Sequence, residues 1–417
     1  MKNVRLQTVL IVFVVYLFSV GMPNQVFAAR VTPPKCPADK TKLVVAPSKG
    51  DYTMITAALN NSTPTPSSPC TIEVWPGTYV ENVVMKSYVH LMGSGRDVTI
   101  IQPTENSGDV INVPNLTNVT ISGFSLRGVW SGVNITGSSS VTIRDNAITG
   151  TASGTKQDGG VAVSDSSSIT IRENGITGDS TAGVYLFNSS SVTICENTIN
   201  NNGGTAVIDI QDSNSIVVCQ NLVNNPGSDG VASFGGSFPV TISGNTINGG
   251  GLPGSKGINF YNSSGGTITI NGNIVLDQPA GGIVGGGAGG SVGKIIENIV
   301  TNSGGGYEGI TINTDSGIVS GNHVSGSAND GIWLGNHDYT VIGNTVTGNA
   351  GAGISANGSG DMIIHNRVTS NGTDIIVRVG VTPHVSFNVF DTFTGACVGK
   401  FNVKSDGTAW PDGASCP

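Results

Sequence analysis

The sequence predicts an all-β solenoid, a parallel β-helix of about twelve coils, on three observations. One short motif recurs along the chain, as SSSVTIRDNAITG from Ser138, SSSITIRENGITG from Ser166 and SSSVTICENTINNN from Ser189. Each repeat unit holds three runs of β-branched residues that are too short for helices and typical of strands. Gly supplies 61 of 417 residues and charged residues only 11%, a composition that favours short strands joined by tight turns.

An Asn closes each unit and marks its period. The markers follow one another at steps of 22 to 28 residues and are Asn146, Asn174, Asn197, Asn221, Asn245, Asn273, Asn298, Asn322, Asn344, Asn366 and Asn388. A repeat of this length indicates coils stacked about 4.8 Å apart. Stacked at one turn, the Asn amides are expected to form a hydrogen-bonded ladder and to adopt the left-handed conformation that a sharp bend uses. Phe124 occupies the marker position of an earlier coil.

The first 28 residues are interpreted as a secretory signal peptide. A basic start, MKNVR, precedes an apolar run and a small residue, Ala28, which is the order of parts in such a peptide. An uncleaved membrane anchor is the alternative, since the apolar run is near the lower length for a membrane span. After cleavage no membrane segment is expected, so the protein is predicted to be secreted or periplasmic.

Export permits disulfide bonds, and the six cysteines fall into three pairs that are close in sequence. The expected pairs are Cys36 with Cys70, Cys195 with Cys219, and Cys397 with Cys416. The second pair occupies equivalent places in successive coils, where a cross-coil disulfide and a buried thiol ladder are both open. No C-x-x-C motif occurs, which argues against a zinc site.

The charge balance limits the possible partners. The net charge is −8 and no Lys/Arg cluster occurs, which argues against nucleic acid because a basic face is the main source of affinity for it. A neutral or cationic ligand suits this balance unless a local basic patch or a bound cation intervenes.

With its repeat, the chain resembles the right-handed parallel β-helix, or pectin-lyase-like, superfamily over residues 50 to 404. DYTMITAAL at 51–59 resembles the helix that caps the first coil in that superfamily, and IEVWPGTYVENVVM at 72–85 is similar to its first coil. The expected organisation is a signal peptide (1–28), an N-terminal segment with a capping helix (29–70), a β-helix (71–395) and a C-terminal cap (396–417).

The resemblance implies a polysaccharide or other extracellular glycan as partner, lying along the sheet that holds runs such as GVYLFN at 183–188. The superfamily contains lyases, hydrolases, esterases, epimerases and non-enzymes, so the fold does not select an activity. Its enzyme signatures are mostly absent. Asn313-Thr314-Asp315 resembles the first of four polygalacturonase motifs, and the other three are missing.

Strand side chains alternate, so one set in each GVYLFN-type run is expected to point outward. The candidate substrate-binding residues are aromatic platforms for sugar rings and amides for their hydroxyl groups: Tyr185, Phe187, Gln211, Asn259, Tyr261, Asn313 and Trp333. Phe234 joins them unless a one-residue slip in register turns it inward. The alternative is that longer turns cover these rings as a satellite core.

Two catalytic sets are open. Asp209 lies mid-strand on this face with Asp229 as its nearest expected partner, and a partly desolvated carboxylate pair suits a hydrolase. A lyase acting by β-elimination would instead require Lys156 or Lys256 as its base. The sequence does not choose between hydrolase, lyase and epimerase.

Glu308 and Asp330 lie 22 residues apart and are expected to stack on adjacent coils, where they could hold a cation such as Ca²⁺. Ordinary turn chemistry of an acidic residue before Gly is the alternative, and no cofactor is certain. The competing class of function is a non-catalytic carbohydrate-binding, adhesive or structural solenoid. A flat, regular array of Thr would indicate an ice-binding surface instead. The oligomeric state is not predicted.

Overall fold

The computed structural model describes residues 34–104, 108–128, 130–149, 159–178, 181–200, 202–236, 239–262 and 265–410. They form the predicted all-β parallel solenoid of about twelve coils, with three parallel sheets running along its length. The expected signal peptide, residues 1–28, lies outside the described residues. Within these ranges no helix is long and apolar enough to cross a membrane.

Each complete coil gives one strand to each of three sheets, here called sheets 1, 2 and 3. Sheet 1 holds the GVYLFN-type runs and comprises Val83–Val84, Ile111–Pro114, Val133–Thr136, Gly159–Ser164, Ala182–Phe187, Ala206–Gln211, Asp229–Phe234, Lys256–Asn262, Gly281–Gly287, Ile310–Asn313, Ile332–Leu334, Ala352–Ala356, Thr373–Val377 and Phe393–Thr394. Sheet 2 follows it in each coil and comprises Lys42–Val45, Cys70–Val74, Val89–Gly93, Thr117–Ser122, Ser139–Arg144, Ser167–Arg172, Ser190–Cys195, Ile216–Cys219, Val240–Ser243, Gly266–Asn271, Ser291–Ile296, Ser316–Ser320, Tyr339–Ile342, Met362–Ile364 and His384–Ser386. Sheet 3 closes the coil and comprises Gly77–Val80, Thr99–Gln102, Ser125–Arg127, Ala147–Thr149, Gly175–Thr177, Thr198–Asn200, Leu222–Asn224, Thr246–Asn248, Ile274–Leu276, Ile299–Thr301, His323–Ser325, Thr345–Thr347 and Arg367–Thr369.

The interior is one continuous hydrophobic core that runs from the first coils to Phe390. It is filled mainly by Val and Ile from the inward rows of the three sheets, with Leu and aromatic residues at some positions, and most of these side chains are fully buried. Burying one such side chain contributes roughly 1.5–3 kcal/mol. Since every coil adds the same inward residues, the core grows in proportion to the number of coils.

The predicted Asn ladder is present at the turn between sheets 2 and 3. In each step the backbone N–H and the side-chain Nδ2 of one Asn donate to Oδ1 of the next, as Asn221 does to Asn245 at 2.9 Å for both bonds. Nδ2 also donates to two backbone carbonyl groups, which for Asn245 are those of Val218 and Ser243. Asn402 extends the ladder by one step beyond Asn388.

The predicted backbone conformation of the ladder Asn is wrong. The left-handed residue is the one immediately before each Asn, for example Asp145 with φ 52°, Glu173 with φ 58° and Glu196 with φ 60°. The bend is therefore made one residue earlier, and the Asn side chain is left free to point into the turn and bond its neighbours.

A Gly opens most sheet 1 strands for a steric reason. At Gly230 a Cβ atom would lie 2.6 Å from Cγ2 of Ile247 and 2.7 Å from the carbonyl oxygen of Gly257. A side chain at this inward bend would collide with the core of sheet 3. The residue just before the bend, here Asp229, consequently faces outward.

The N-terminal region contains a helix at Ile55–Asn60, shorter than the predicted 51–59. Its Ile55 and Thr56 N–H groups donate to the buried carboxylate of Glu81, at 2.8 Å each. Sheet 2 begins before this helix, because Lys42–Val45 pairs in parallel with Cys70–Val74. That the helix serves as a cap stays a prediction.

Two of the expected disulfides lie wholly within the described residues. Cys36 is bonded to Cys70 with a Cα–Cα distance of 5.8 Å, and Cys195 to Cys219 with 4.5 Å. The second bond joins adjacent strands of sheet 2, so this pair forms a cross-coil disulfide and not a thiol ladder. Cys397 is also disulfide-bonded, and its expected partner Cys416 lies outside the described residues.

Candidate functional site

The outer face of sheet 1 presents side chains in rows that run across the coils. The mid-strand row is Asn112, Asn134, Ala162, Tyr185, Asp209, Ala232, Asn259, Val284, Thr311, Trp333, Ser355 and Ile376. Two residues further along each strand, the end row is Pro114, Thr136, Ser164, Phe187, Gln211, Phe234, Tyr261, Gly286 and Asn313. The register does not slip at Phe234, which lies in the end row between Gln211 and Tyr261.

Four consecutive coils give the end row an aromatic stretch. Phe187, Phe234 and Tyr261 flank Gln211, and with coils about 4.8 Å apart the stretch spans roughly 14 Å. Tyr261 is 51% exposed, whereas the other three are half-buried. Partly exposed rings in a line, next to an amide, present both the apolar and the hydrogen-bonding surface that a sugar chain requires.

The expectation that Tyr185 is an exposed platform is wrong. It occupies the outward mid-strand row as predicted, yet it is only 6% exposed. Burial, followed by the negative charges of Asp209 and Asp212, raises the pKa of its phenol. Tyr185 therefore offers no open ring face to a ligand.

Asp209 lies beside Tyr185 in the same row and is 5% exposed. One of its carboxylate oxygens accepts a hydrogen bond from Nε2 of Gln211 at 2.6 Å. Burial raises the pKa of this carboxyl group, the Gln211 hydrogen bond opposes the rise, and the charge of Asp229 adds to it. A carboxyl group in this environment holds its proton to a higher pH than an ordinary Asp.

Asp229 opens the next strand of sheet 1 and is nearly buried. One oxygen accepts the backbone N–H of Lys256 at 2.8 Å, and the other accepts Nδ2 of Asn259 at 2.7 Å. The predicted partners Asp209 and Asp229 thus lie on adjacent strands, and the substrate-binding candidate Asn259, on the next coil, bonds Asp229. Both carboxylate oxygens of Asp229 are therefore engaged as hydrogen-bond acceptors.

The same pair of hydrogen bonds occurs elsewhere on sheet 1. Asp109 accepts the backbone N–H of Ser131 at 3.1 Å and Nδ2 of Asn134 at 2.9 Å. This arrangement joins one coil to the next and has a structural role by itself. What distinguishes Asp229 from Asp109 is the second carboxyl group, Asp209, on the neighbouring strand. Sequence reasoning did not identify the equivalence of Asp109 and Asp229. Its signal in the sequence is an Asp that lies 25 or 30 residues before an Asn of the mid-strand row.

The two lysine candidates have different outcomes. Lys256 is half-buried, and its Nζ lies 4.9 Å from the ring centroid of Tyr307, so its ammonium is held over an aromatic face. Lys156 lies outside the described residues. Only Lys256 can therefore be placed beside the carboxyl pair, through the bond from its backbone to Asp229.

Glu308 and Asp330 lie on adjacent coils, at equivalent positions three residues before Thr311 and Trp333 of the mid-strand row. Glu308 accepts a hydrogen bond from the Thr311 hydroxyl, and Asp330 accepts the backbone N–H of Ala352 at 2.6 Å. No group of three or more His, Cys, Asp or Glu side chains suited to a metal occurs among the described residues. These contacts favour turn chemistry, and Ca²⁺ binding at this pair stays a prediction.

Two further candidates lie away from the carboxyl pair. Asn313 is exposed at the end row and Trp333 is half-buried in the mid-strand row, three coils beyond Asn259. Asp315 does not face the sheet 1 surface, because its carboxylate accepts the backbone N–H of Ser291 at 3.2 Å. The partial polygalacturonase-like motif therefore does not assemble a catalytic group here.

The Thr residues of the VTI runs share one outward row on sheet 2. The row reads Thr120, Thr142, Thr170, Thr193, Val217, Thr241, Thr269 and Lys294. It is interrupted by Val217 and Lys294, continues with Ile318 and is bordered by Arg144 and Arg172 two residues further along their strands. A surface with these charges is not the flat, regular Thr array that binding to ice would need.

The winding and its repeat define the class of protein. The chain belongs to the family described as right handed beta helix region, which it matches over residues 109–275 and 235–390. No curated protein matches the chain.

Solved structures with similar winding include several proteins of known activity. The A-module of a mannuronan C-5 epimerase from Azotobacter vinelandii is 13% identical with a TM-score of 0.38, over 86% of this chain and 94% of that one. The catalytic unit of an α-1,3-glucanase from Streptomyces thermodiastaticus is 16% identical with a TM-score of 0.41, over 83% and 65%. A pectin methylesterase from carrot is 14% identical with a TM-score of 0.33, over 67% and 85%. At these identities the likeness concerns the fold alone.

Proposed function

We propose that the protein is exported and that it binds and hydrolyses an extracellular polysaccharide on the outer face of sheet 1. The observation that carries this proposal is the pair of nearly buried carboxyl groups, Asp209 and Asp229, on neighbouring strands beside the aromatic end row. Export is supported by the signal-like start of the chain and by the disulfides, which persist in oxidising compartments.

In this proposal the two carboxyl groups take the two roles that glycoside hydrolysis requires. Asp209 has a raised pKa and is suited to donate its proton to the glycosidic oxygen as the bond to the leaving sugar breaks. Asp229, whose two oxygens accept hydrogen bonds from Lys256 and Asn259, takes the second role in this proposal, as base or nucleophile. One carboxyl group as acid and a second as base or nucleophile form the usual division of labour in this reaction.

The end row supplies the proposed binding surface. Phe187, Phe234 and Tyr261 would contact the apolar faces of successive sugar rings, and Gln211 and Asn259 would bond hydroxyl groups. Gln211 has a second role, because its amide already holds the Asp209 carboxylate. A hydroxyl group that takes over this amide would remove a bond that lowers the pKa of Asp209, so substrate binding would keep Asp209 protonated to a higher pH.

Lyase chemistry is the second candidate and depends on Lys256. Support for this role comes from its backbone N–H, which donates to Asp229, while its ammonium lies over the Tyr307 ring. In that reaction a base removes the proton at C5 and the C4–O bond breaks, which leaves an unsaturated uronide. A non-catalytic glycan-binding solenoid is the remaining alternative, favoured by the structural bonds that Asp229 shares with Asp109.

The test is an activity screen of residues 29–417 on plant, algal and bacterial polysaccharides, with Asp209→Asn, Asp229→Asn and the matched control Asp109→Asn. Asp109→Asn removes the same type of carboxylate from the same pair of hydrogen bonds but has no Asp209 beside it. New reducing ends and the ultraviolet absorbance of unsaturated uronides are read separately.

For a hydrolase, reducing ends appear without absorbance, and Asp209→Asn loses at least about 100-fold in rate, the usual size of general acid catalysis. Asp229→Asn loses activity as well, whereas Asp109→Asn keeps it. Absorbance that persists in Asp209→Asn and disappears in Lys256→Gln would replace the hydrolase by a lyase. Binding without turnover, unchanged by all three Asp variants, would leave the non-catalytic solenoid.

A further inference from the structure

The last coils depart from the rest of the solenoid at the left-handed turn that precedes the Asn ladder. In earlier coils this position holds acidic, amide or Gly residues, namely Asp145, Glu173, Glu196, Gln220, Gly244, Gly272, Glu297, Gly321 and Gly343. The final three coils place rings there instead: His365, Phe387 and Phe401 have φ of 56°, 58° and 65°. A bulky side chain in this conformation costs about 1–2 kcal/mol, so three in succession call for a compensating use.

The three rings form a stack on the surface. His365 and Phe387 have centroids 5.1 Å apart and planes inclined by 13°, and Phe387 and Phe401 have centroids 5.2 Å apart with planes inclined by 17°. Phe387 is 49% exposed and Phe401 71% exposed. The stack therefore leaves much apolar ring surface in water, above all on Phe401 at its end.

A cavity of about 290 Å³ lies beside the stack, which is near the lower limit for a ligand pocket. It is lined by His384, Ser386, Phe387, Val398, Gly399, Lys400 and Phe401. Its polar edge is ordered, since Ser386 Oγ bonds Nε2 of His384 at 3.0 Å and accepts the backbone N–H of Lys400 at 2.9 Å. The Lys400 ammonium is exposed and forms no ion pair within the described part of the chain.

We propose that this cavity is a second carbohydrate-binding site, selective for a sugar unit that carries a carboxylate. The free face of the Phe401 ring and the edge of the Phe387 ring contact the apolar face of the sugar, and the Lys400 ammonium pairs with its carboxylate. Although the chain has a net charge of −8, the unpaired Lys400 ammonium gives this cavity a local preference for an anion. The proposal rests on the proposed glycan function in its class of ligand, but it concerns a different surface at the C-terminal end.

The test measures binding of tetragalacturonate and of the neutral cellotetraose by isothermal titration calorimetry. Phe401→Gln removes the terminal ring and installs the residue found at the same turn position as Gln220, so the backbone is retained. Lys400→Gln removes the charge. The controls are Val379→Ser, which replaces an even more exposed apolar side chain outside the cavity, and Lys49→Gln, which removes a charge far away in the sequence. Tyr261→Ser reports separately on sheet 1.

Phe401→Gln is expected to weaken tetragalacturonate binding at this site about tenfold, the effect of losing one well-placed ring contact. Lys400→Gln should weaken it roughly two- to fivefold and abolish the preference over cellotetraose. Both losses should persist in the Tyr261→Ser background, and neither control should change binding.

Unchanged affinity in Phe401→Gln, with a lower Tm as the only effect, would overturn the proposal and leave the stack as a stabiliser of the last coil. Equal affinity for both probes would overturn its selectivity, and self-association that Phe401→Gln abolishes would assign the stack to a second copy of the chain. If only Tyr261→Ser loses tetragalacturonate binding, this second site is rejected and sheet 1 is kept as the binding face. If only Phe401→Gln and Lys400→Gln lose binding, sheet 1 is rejected and this site is kept.

Discussion

The burial of Asp209 has opposite effects on its proposed role as a proton donor and on the stability of the folded protein. Its burial at the outer face of sheet 1 raises the pKa that a proton donor needs, but the same burial destabilises the folded protein once the proton is lost. Since the folded pKa lies above that of the unfolded chain, its contribution to stability is full below the unfolded pKa. It declines as pH rises through the folded pKa.

Asp209→Asn should therefore remove activity and raise stability at neutral pH together. The amide can still bond Gln211 but has no charge to desolvate. The measurements are the Tm of both proteins at pH 4 and pH 8 and the pH–rate profile of the wild type. Wild-type activity should fall as rising pH deprotonates Asp209. A variant that is inactive and also less stable at pH 8 would indicate a structural role instead.

Asp361 is a second buried carboxyl group, inside the solenoid and away from the candidate site. It is fully buried at the core-facing position of sheet 2 next to Tyr339, whose backbone N–H donates to one of its oxygens at 3.0 Å. The other oxygen has no hydrogen-bond partner among the described residues. Burial raises the pKa of Asp361 to about 7, reinforced by the charge of Asp338 and opposed by the Tyr339 bond and His337.

Asp361→Asn is predicted to stabilise the protein above pH 7. The wild type should lose stability as pH rises from about 4 to about 7, because the unfolded carboxyl group releases its proton first. A difference of about three pKa units corresponds to about 4 kcal/mol. Urea unfolding of the two proteins at pH 4 and pH 8 checks this. Equal pH dependence in both would show that Asp361 is not the responsible group.

The element that holds the coils together at one corner is the Asn ladder. Asn245 is fully buried and accepts from the backbone and side chain of Asn221 while it donates to Asn273 and two carbonyl groups. Asn248 lies in the same coil and forms a similar side-chain bond to Asn224 at 2.7 Å, but it faces outward on sheet 3 and is half-buried.

Asn245→Ala should cost at least about 3 kcal/mol in unfolding free energy, because it leaves several buried groups unpaired at roughly 1–3 kcal/mol each. Asn248→Ala is the matched control and should cost less than about 1 kcal/mol, since water can replace its lost bond. Urea unfolding of both variants measures the difference. Similar losses would mean that the ladder stabilises the coils no more than an outward-facing amide does.

The ladder also illustrates what sequence can predict about this fold. The period of the Asn residues predicts which amides stack, because stacking depends only on spacing. It does not predict φ, so the left-handed residue was placed one position late. Asn402 was missed because it lies 14 residues after Asn388, where the chain no longer completes a full coil.

On the candidate site, sequence alternation places Asp209, Tyr185 and Phe234 in the correct outward rows. Alternation does not predict that Tyr185 and Asp209 are nearly buried, since the burial of a side chain depends on tertiary neighbours that are distant in sequence. It also gives no sign of Asp361, whose neighbours Gly360 and Met362 read as a surface turn. Rows follow from local periodicity, whereas burial at a given row is a tertiary property.

For the whole molecule, the continuous core and ladder make each coil depend mainly on its two neighbours. Amide hydrogen exchange should therefore be slowest in the central coils, around Asn221 to Asn298, and faster toward both ends, where one neighbour is missing. Mass spectrometry of peptides from each coil measures this gradient. Protection that is uniform from the first coil to the last would indicate a single cooperative unit instead.

The measurement that tests the central claim most directly is a crystal structure of Asp209→Asn with an oligosaccharide that the wild type cleaves. The sugar rings are predicted on the outer face of sheet 1, across Phe187, Phe234 and Tyr261, with a glycosidic oxygen within hydrogen-bonding distance of Asn at 209. Sugar bound elsewhere, with sheet 1 unoccupied at saturating ligand, would contradict the assignment of this face as the active site.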